Sequence, residues 1–266
     1  MNTAGVLVST WSADPLAILA CAAAAGVVAW AGRRRSVSKA SYLVVAAAVV
    51  VLAVASPLGA IADGYLFSAH MLQHLLLLLV APPLALLGAP AVAPPPTATA
   101  NAARQPVRPM VAWSLGVAAM WLWHAPTLCN AASQSALIHR AQEVSLLLLG
   151  AIFWMPILGP RAERHLPPLA GVVYLFTACV ACTILGVIVT FSPVEVCSVY
   201  LRPTDRLGIL PLLRQTWGLT PERDQQLGGL LMWVPSCLVY GVGILGLLSR
   251  WYRADADARL ARRELA

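Results

Sequence analysis

Apolar residues run along this chain in long blocks parted by short polar breaks. Seven blocks lie roughly at 14–32, 41–61, 66–88, 110–127, 137–158, 168–191 and 227–249. Crossing a hydrocarbon core of about 30 Å takes about 20 helical residues. Inside that core each backbone N–H and C=O must be paired without water, which a helix achieves within one segment. The pattern therefore predicts an all-α, polytopic membrane protein: one domain over 1–266, built as a bundle of about seven transmembrane helices. No internal repeat interrupts it.

The breaks carry their own signals. Ala89–Pro109, with Pro94, Pro95 and Pro96 followed by TATANAARQP, is low in complexity and predicts a linker. Ser192–Gln226 is polar but keeps Leu210, Leu212, Leu213 and Trp217 as an apolar set, which predicts a short helix lying on the membrane surface. Within the third block, Pro82 and Pro83 remove two backbone donors and press on carbonyls one turn earlier, so a kink is predicted below His74.

Charge sets the expected orientation. The first block follows Asp14 with no basic residue before it, so it reads as a retained helix and not as a cleavable signal. Arg33, Arg34, Arg35 and Lys39 follow it at once, which holds that end in the cytoplasm and sends the N-terminus outside. Seven crossings then place Arg104, Arg108, Arg161, Arg164, Arg250, Arg253, Arg259, Arg262 and Arg263 on the cytoplasmic side as well. Only Arg140, Arg202, Arg206, Arg214 and Arg223 of the 18 basic residues fall outside. The C-terminus is thus expected in the cytoplasm. Basic cytoplasmic flanks account for the net charge of +7 beside a lipid bilayer, with no nucleic acid partner. A composition of 59% hydrophobic and 11% charged residues fits, since soluble domains carry about 25% charge.

Against this background the ionisable residues inside the blocks stand out. His70 and His74 sit one helical turn apart in LFSAHMLQHLLLLLVAPPLALLG, on one face. An imidazole in hydrocarbon is costly without a partner and marks a candidate site. In the expected topology the third helix enters from outside, so His74 lies about 12 Å deep at 1.5 Å per residue. His124 ends the fourth helix among Trp121 and Trp123, and His139 begins the fifth with Glu143 one turn on. Asp224 begins the seventh, with Met232 two turns deeper. Four histidines and two acids so gather on the outer third of the bundle, and imidazole with carboxylate or thioether support can hold copper, zinc or iron. Asp224 could instead cap the seventh helix.

Other residues read as structural. His165, in RAERHLPP, is expected to be a solvated loop residue. Cys179 and Cys182 read as buried small hydrophobes. Met71 points about 100° away from His70 and is set aside as a ligand. Cys129 and Cys197 both fall near the outer face, where an oxidising compartment would permit a disulfide, at a separation sequence does not give.

Four stretches carry a resemblance: HMLQHLLLLLVAPPLALLGAP at 70–90, WLWHAP at 121–126, GAIFWMPIL at 150–158 and DQQLGGLLMWVP at 224–235. Together they resemble the bacterial CtaG-type cytochrome c oxidase assembly factors. The resemblance implies a multi-pass protein of the bacterial inner membrane, not an enzyme, which helps make active haem-copper oxidase by delivering or inserting copper and so meets oxidase subunits. The family's motif histidines fall on His70, His74, His124 and His139, and its DQQ block on Asp224 to Trp233. One departure is Glu143, where many members carry a second histidine. Carboxylate is harder than imidazole and less suited to Cu(I). The residues alone also admit a b-type haem protein, a metal transporter with the double proline as gate, or a metal-free scaffold that grips oxidase subunits.

Overall fold

The computed structural model describes residues 10–33, 37–89, 108–161 and 165–264. Every regular element among them is helical: α1 Pro15–Arg33, α2 Val37–Val54, α3 Pro57–Ala62, α4 Phe67–Leu75, α5 Ala81–Gly88, α6 Pro109–Trp123, α7 Pro126–Gln134, α8 Ala136–Leu158, α9 Pro168–Phe191 and α10 Pro221–Glu264. Five stretches are long and apolar enough to cross a membrane: Ala40–Ala62, Phe67–Gly88, Ala136–Leu158, Pro168–Phe191 and Pro221–Arg259. Pro15–Ala29 and Pro109–Trp123 are shorter apolar helices. All seven predicted blocks are therefore helical, with five at full spanning length. The Pro-rich linker over 90–107 with Arg104, the residues Arg34, Arg35 and Arg164, and the side chains of Arg33, Lys39 and Arg263 lie outside the described residues.

Where the elements differ from the predicted blocks, proline and capping chemistry explain it. The second block breaks between α2 and α3, because Pro57 lacks an N–H and Ser56 caps the new helix by accepting from Leu58 N at 3.1 Å. The fourth ends early at Trp123, with His124 as its C-cap, and Pro126 starts α7, an element the hydropathy pattern gave no reason to expect. The seventh begins six residues before its predicted start, at Pro221, and runs on to Glu264.

The predicted kink at the double proline takes the form of a π-helical turn, Leu76–Val80, between α4 and α5. A wider turn relieves the ring-to-carbonyl clash that Pro82 and Pro83 would impose on a regular helix. Neighbouring α8 closes onto this turn at Gly150, where a Cβ would stand 2.5 Å from Leu78 O and 2.9 Å from the Pro82 ring. A carbonyl in the helix wall cannot step aside. Gly150→Ala is therefore expected to lower the melting temperature of detergent-solubilised protein, by a destabilisation of about 1–3 kcal/mol.

Helices α9 and α10 approach closely at Gly229, where an added Cβ would meet Thr190 N at 2.6 Å and Gly186 O at 2.9 Å. Small residues let helix backbones approach where lipid supplies no drive to associate. Their other faces carry Val173, Phe176, Ile184 and Ile188, and Leu238, Val242 and Leu245, all exposed. Such apolar stripes suit contact with lipid chains. The connection before α10 holds the predicted short helix as a helical turn, Leu212–Thr216, which packs onto the bundle and buries Leu213 against Tyr65, Leu66, Ala69 and Ile209 while Trp217 stays exposed.

Candidate functional site

The sequence spacing puts His70 and His74 on one face of α4, and their ring centroids lie 4.2 Å apart. Both are buried, at 2% and 5% exposure. None of their four ring nitrogens has a hydrogen-bond partner within 3.5 Å, although the Gln73 amide lies against His70 and the amide of fully buried Gln142 on α8 against His74. On one side of the pair, His139 of α8 brings its ring centroid to 5.8 Å from that of His70. On the other, His124 lies 5.2 Å from His74. The four predicted histidines thus come together from three elements, in the order His139, His70, His74, His124. They form a row: among the described residues no three His, Cys, Asp or Glu side chains converge tightly enough to share one ion. The helix stops at Trp123 and its cap residue His124 is buried, with its ring centroid 5.2 Å from that of His74.

At the His139 end the row opens on a cavity of about 530 Å³, lined by Asp63, Gln73, His139, Arg140, Glu143 and Arg206 among others. Glu143 accepts from Arg140 at 2.8 Å and from Gln73 at 3.0 Å, and His139 approaches it at 3.6 Å. Arg140 also pairs with buried Asp14, at the start of α1. His139 stands 3.6 Å from Asp63, and this close polar contact holds that carboxyl below the usual carboxylate range. Glu143 is thus the hub of a polar network. Sequence reading missed Asp14, Asp63, Gln73 and Arg140 as members, although Gln73 lies between the two histidines in HMLQH and could have been noticed there.

At the other end the surroundings are soft and apolar. The Nδ1 of His124 faces Met120 O, and its Nε2 lies 3.0 Å from Met71 Sδ. Met71, Met120, Met232 and Cys182 line a small cavity with His74 and His124. Met71, set aside on the sequence, stands against His124. The 100° that turns it from His70 aims it at a different helix end.

A family model described as cytochrome c oxidase caa3 assembly factor (Caa3_CtaG) matches residues 21–254. The chain belongs to this family. No curated protein and no solved structure matches the chain. The matched region contains every histidine of the row, so the caa3 assembly factor fold and the cluster are carried by the same stretch of chain.

In this caa3 assembly factor, Asp224 caps a helix, but not its own. Its carboxylate accepts from Phe67 N at 2.8 Å and from Ser68 N and Oγ at 3.1 and 2.6 Å, at the start of α4. Thr220 performs the local task, accepting from Arg223 N. Asp224 thereby fixes the helix that carries His70 and His74. Cys129 of α7 and Cys197 are joined in a disulfide, with Cα atoms 5.8 Å apart. That bond anchors the turn Ser198–Tyr200, whose Tyr200 ring stands 5.9 Å from His70. Cys182 is buried as predicted, whereas Cys179 is half-buried with its sulfur 3.2 Å from Cys237 Sγ. His165 is half-buried and bonded to Gly159 O, tying the loop to the end of α8 where solvation was expected.

Proposed function

We propose that this assembly factor holds copper and passes it to oxidase subunits, through His70, His74, His124 and His139, with Glu143, Asp224 and Met232 in supporting roles. The observation that carries this reading is the pair of buried rings, His70 and His74, none of whose four nitrogens has a partner within 3.5 Å, with the Gln73 and Gln142 amides beside them at longer range. A buried polar atom without a partner costs roughly 1–3 kcal/mol. Two adjacent imidazoles bearing that cost in a membrane helix make sense as lone pairs kept for a Lewis acid. A row of donors that never closes into one sphere also suits a carrier, because incomplete coordination lets the ion leave.

The donors suit copper. Imidazole and thioether rank high for it, and a haem-copper oxidase is the product of the process. Glu143, bound up with Arg140 and Gln73, acts in this reading as a network hub beside His139. The site faces outward from a bacterial inner membrane: the basic residues favour a cytoplasmic C-terminus, and the Cys129–Cys197 disulfide beside the row belongs in an oxidising compartment. The b-type haem alternative fits less well, since the space between His74 and His124 is a cavity of about 20 Å³, far too small for a porphyrin.

The test is the metal content and visible spectrum of detergent-purified protein, wild type beside His70→Ala/His74→Ala. Copper should be present in the first and absent from the folded second. A haem absorption band, or equal copper in both, would overturn the assignment.

A further inference from the structure

The two ends of the histidine row differ in chemical hardness, and the difference bears on which copper ion the protein takes. At the closed end Nδ1 of His124 faces a carbonyl, which only accepts, so Nδ1 carries the proton and Nε2 presents a lone pair. That lone pair points at a thioether sulfur 3.0 Å away, another acceptor. In the neutral imidazole no proton lies between them, so the contact lacks the hydrogen its distance demands. Bonds from a metal to nitrogen and sulfur of about 2.0 and 2.3 Å put neighbouring ligand atoms roughly 3–3.7 Å apart. The His124 and Met71 pair stands at the short end of that range, so the sulfur draws back by a few tenths of an ångström and the ring turns off its present line for one ion to meet both.

The cavity beside this pair has a volume of about 20 Å³, enough for one small ion or water, and Met232 and His74 line it too. Neither ring nitrogen of His74 has a partner within 3.5 Å, and the Gln142 amide lies beside the ring. No carboxylate lines this cavity; Asp63 and Glu143 line the other one. An all-neutral ligand set in a low-dielectric interior discriminates by charge, because the penalty for burying an ion grows with the square of its charge. It also discriminates by softness, since thioethers prefer Cu(I).

We infer that His74, His124, Met71 and Met232 form a binding site for a soft monovalent cation, Cu(I), at the closed end of the row, distinct from the harder carboxylate-lined mouth at His139. The inference rests on the copper-carrier reading and adds the oxidation state and the sulfur ligands. Met71, turned from His70 on the helix, supplies the first sulfur, and Met232 of α10 the second.

The experiment is X-ray absorption on the full-length protein in detergent, loaded anaerobically with Cu(I) under ascorbate, together with Cu(I) affinity by chelator competition and Zn(II) affinity as a control. Wild type should show mixed nitrogen and sulfur scattering. Met71→Leu/Met232→Leu should lose the sulfur shell and bind Cu(I) at least tenfold more weakly, with Zn(II) affinity unchanged. Met71→Leu alone, nearly isosteric, should show a smaller loss in the same direction and serves if the double variant does not fold. A sulfur shell that persists in the variants would assign it to cysteine thiolates and overturn the site. Purely nitrogen scattering in the wild type would overturn the thioether site while leaving the histidine carrier intact. Equal weakening of Zn(II) would reduce the methionines to packing. A wild type that binds no copper at all would overturn both readings.

Discussion

Cells whose only copy of this assembly factor is His70→Ala/His74→Ala are expected to make cytochrome c oxidase with roughly tenfold less copper, while the oxidase polypeptides persist. Even loss of a group that only orients a metal ligand typically lowers metal affinity 10–100-fold. Removing two adjacent donors from the middle of the row should do at least as much. It also separates His139 at the open cavity from His124 at the closed one, since the 5.8 Å and 5.2 Å ring separations both run through this pair. The check is copper by elemental analysis of the isolated oxidase, set against subunit abundance by immunoblot. Truncating two buried imidazoles leaves voids, so His70→Gln/His74→Gln, which keeps volume and polarity, belongs beside it and should show the same copper deficit. Normal copper loading with either variant stably expressed would remove these histidines from the delivery route.

How much of this site could be read before folding depended on whether its partners were local. The pair at i and i+4 needs only the pitch of a helix, so His70 with His74 and His139 with Glu143 were legible, as was the gathering of four histidines at one end of the bundle. Hydropathy blocks gave all seven apolar helices for the same reason. Relations between helices were not legible. Nothing local to HMLQH says that Met71 meets His124, and nothing local to Arg140 says that it reaches Asp14, just before α1. Nor does the pattern of apolar positions separate a π-helical turn from a kink, because both follow from the same two prolines.

Boundaries failed for a related reason. Hydropathy measures what a segment dissolves in, whereas a helix ends where caps and prolines end it. WLWHAP therefore read as the end of a span, although Pro126 was the local sign that a new helix begins. His124 falls at that junction, as the cap residue between the two helices. The Cys129–Cys197 bond follows, since α7 is the element that carries Cys129 to its partner.

Asp224→Ala is expected to be the most destabilising single change, by about 3–5 kcal/mol. The carboxylate is fully buried and receives three hydrogen bonds, two from backbone amides that open α4 and one from the Ser68 hydroxyl. Hydrogen bonds to a charged group are worth roughly 1.5–3 kcal/mol each, and removing one member of a buried charged set strands the others. Arg214, 3.9 Å from the carboxylate, would keep only its contacts with carbonyls such as Leu219 O and Tyr200 O. Asp224→Asn retains one acceptor oxygen but turns an amide donor towards the same donors, so about half the loss should remain. Thermal melts in detergent give the order wild type, Asn, Ala. Copper content separates capping from ligation. His70 lies in the first turn of α4, so fraying there should weaken copper binding in proportion to lost stability, with Asn intermediate and the ligand environment seen by X-ray absorption unchanged. An Ala variant that melts like wild type would refute the cap. One that keeps its stability but loses copper would make Asp224 a ligand in its own right.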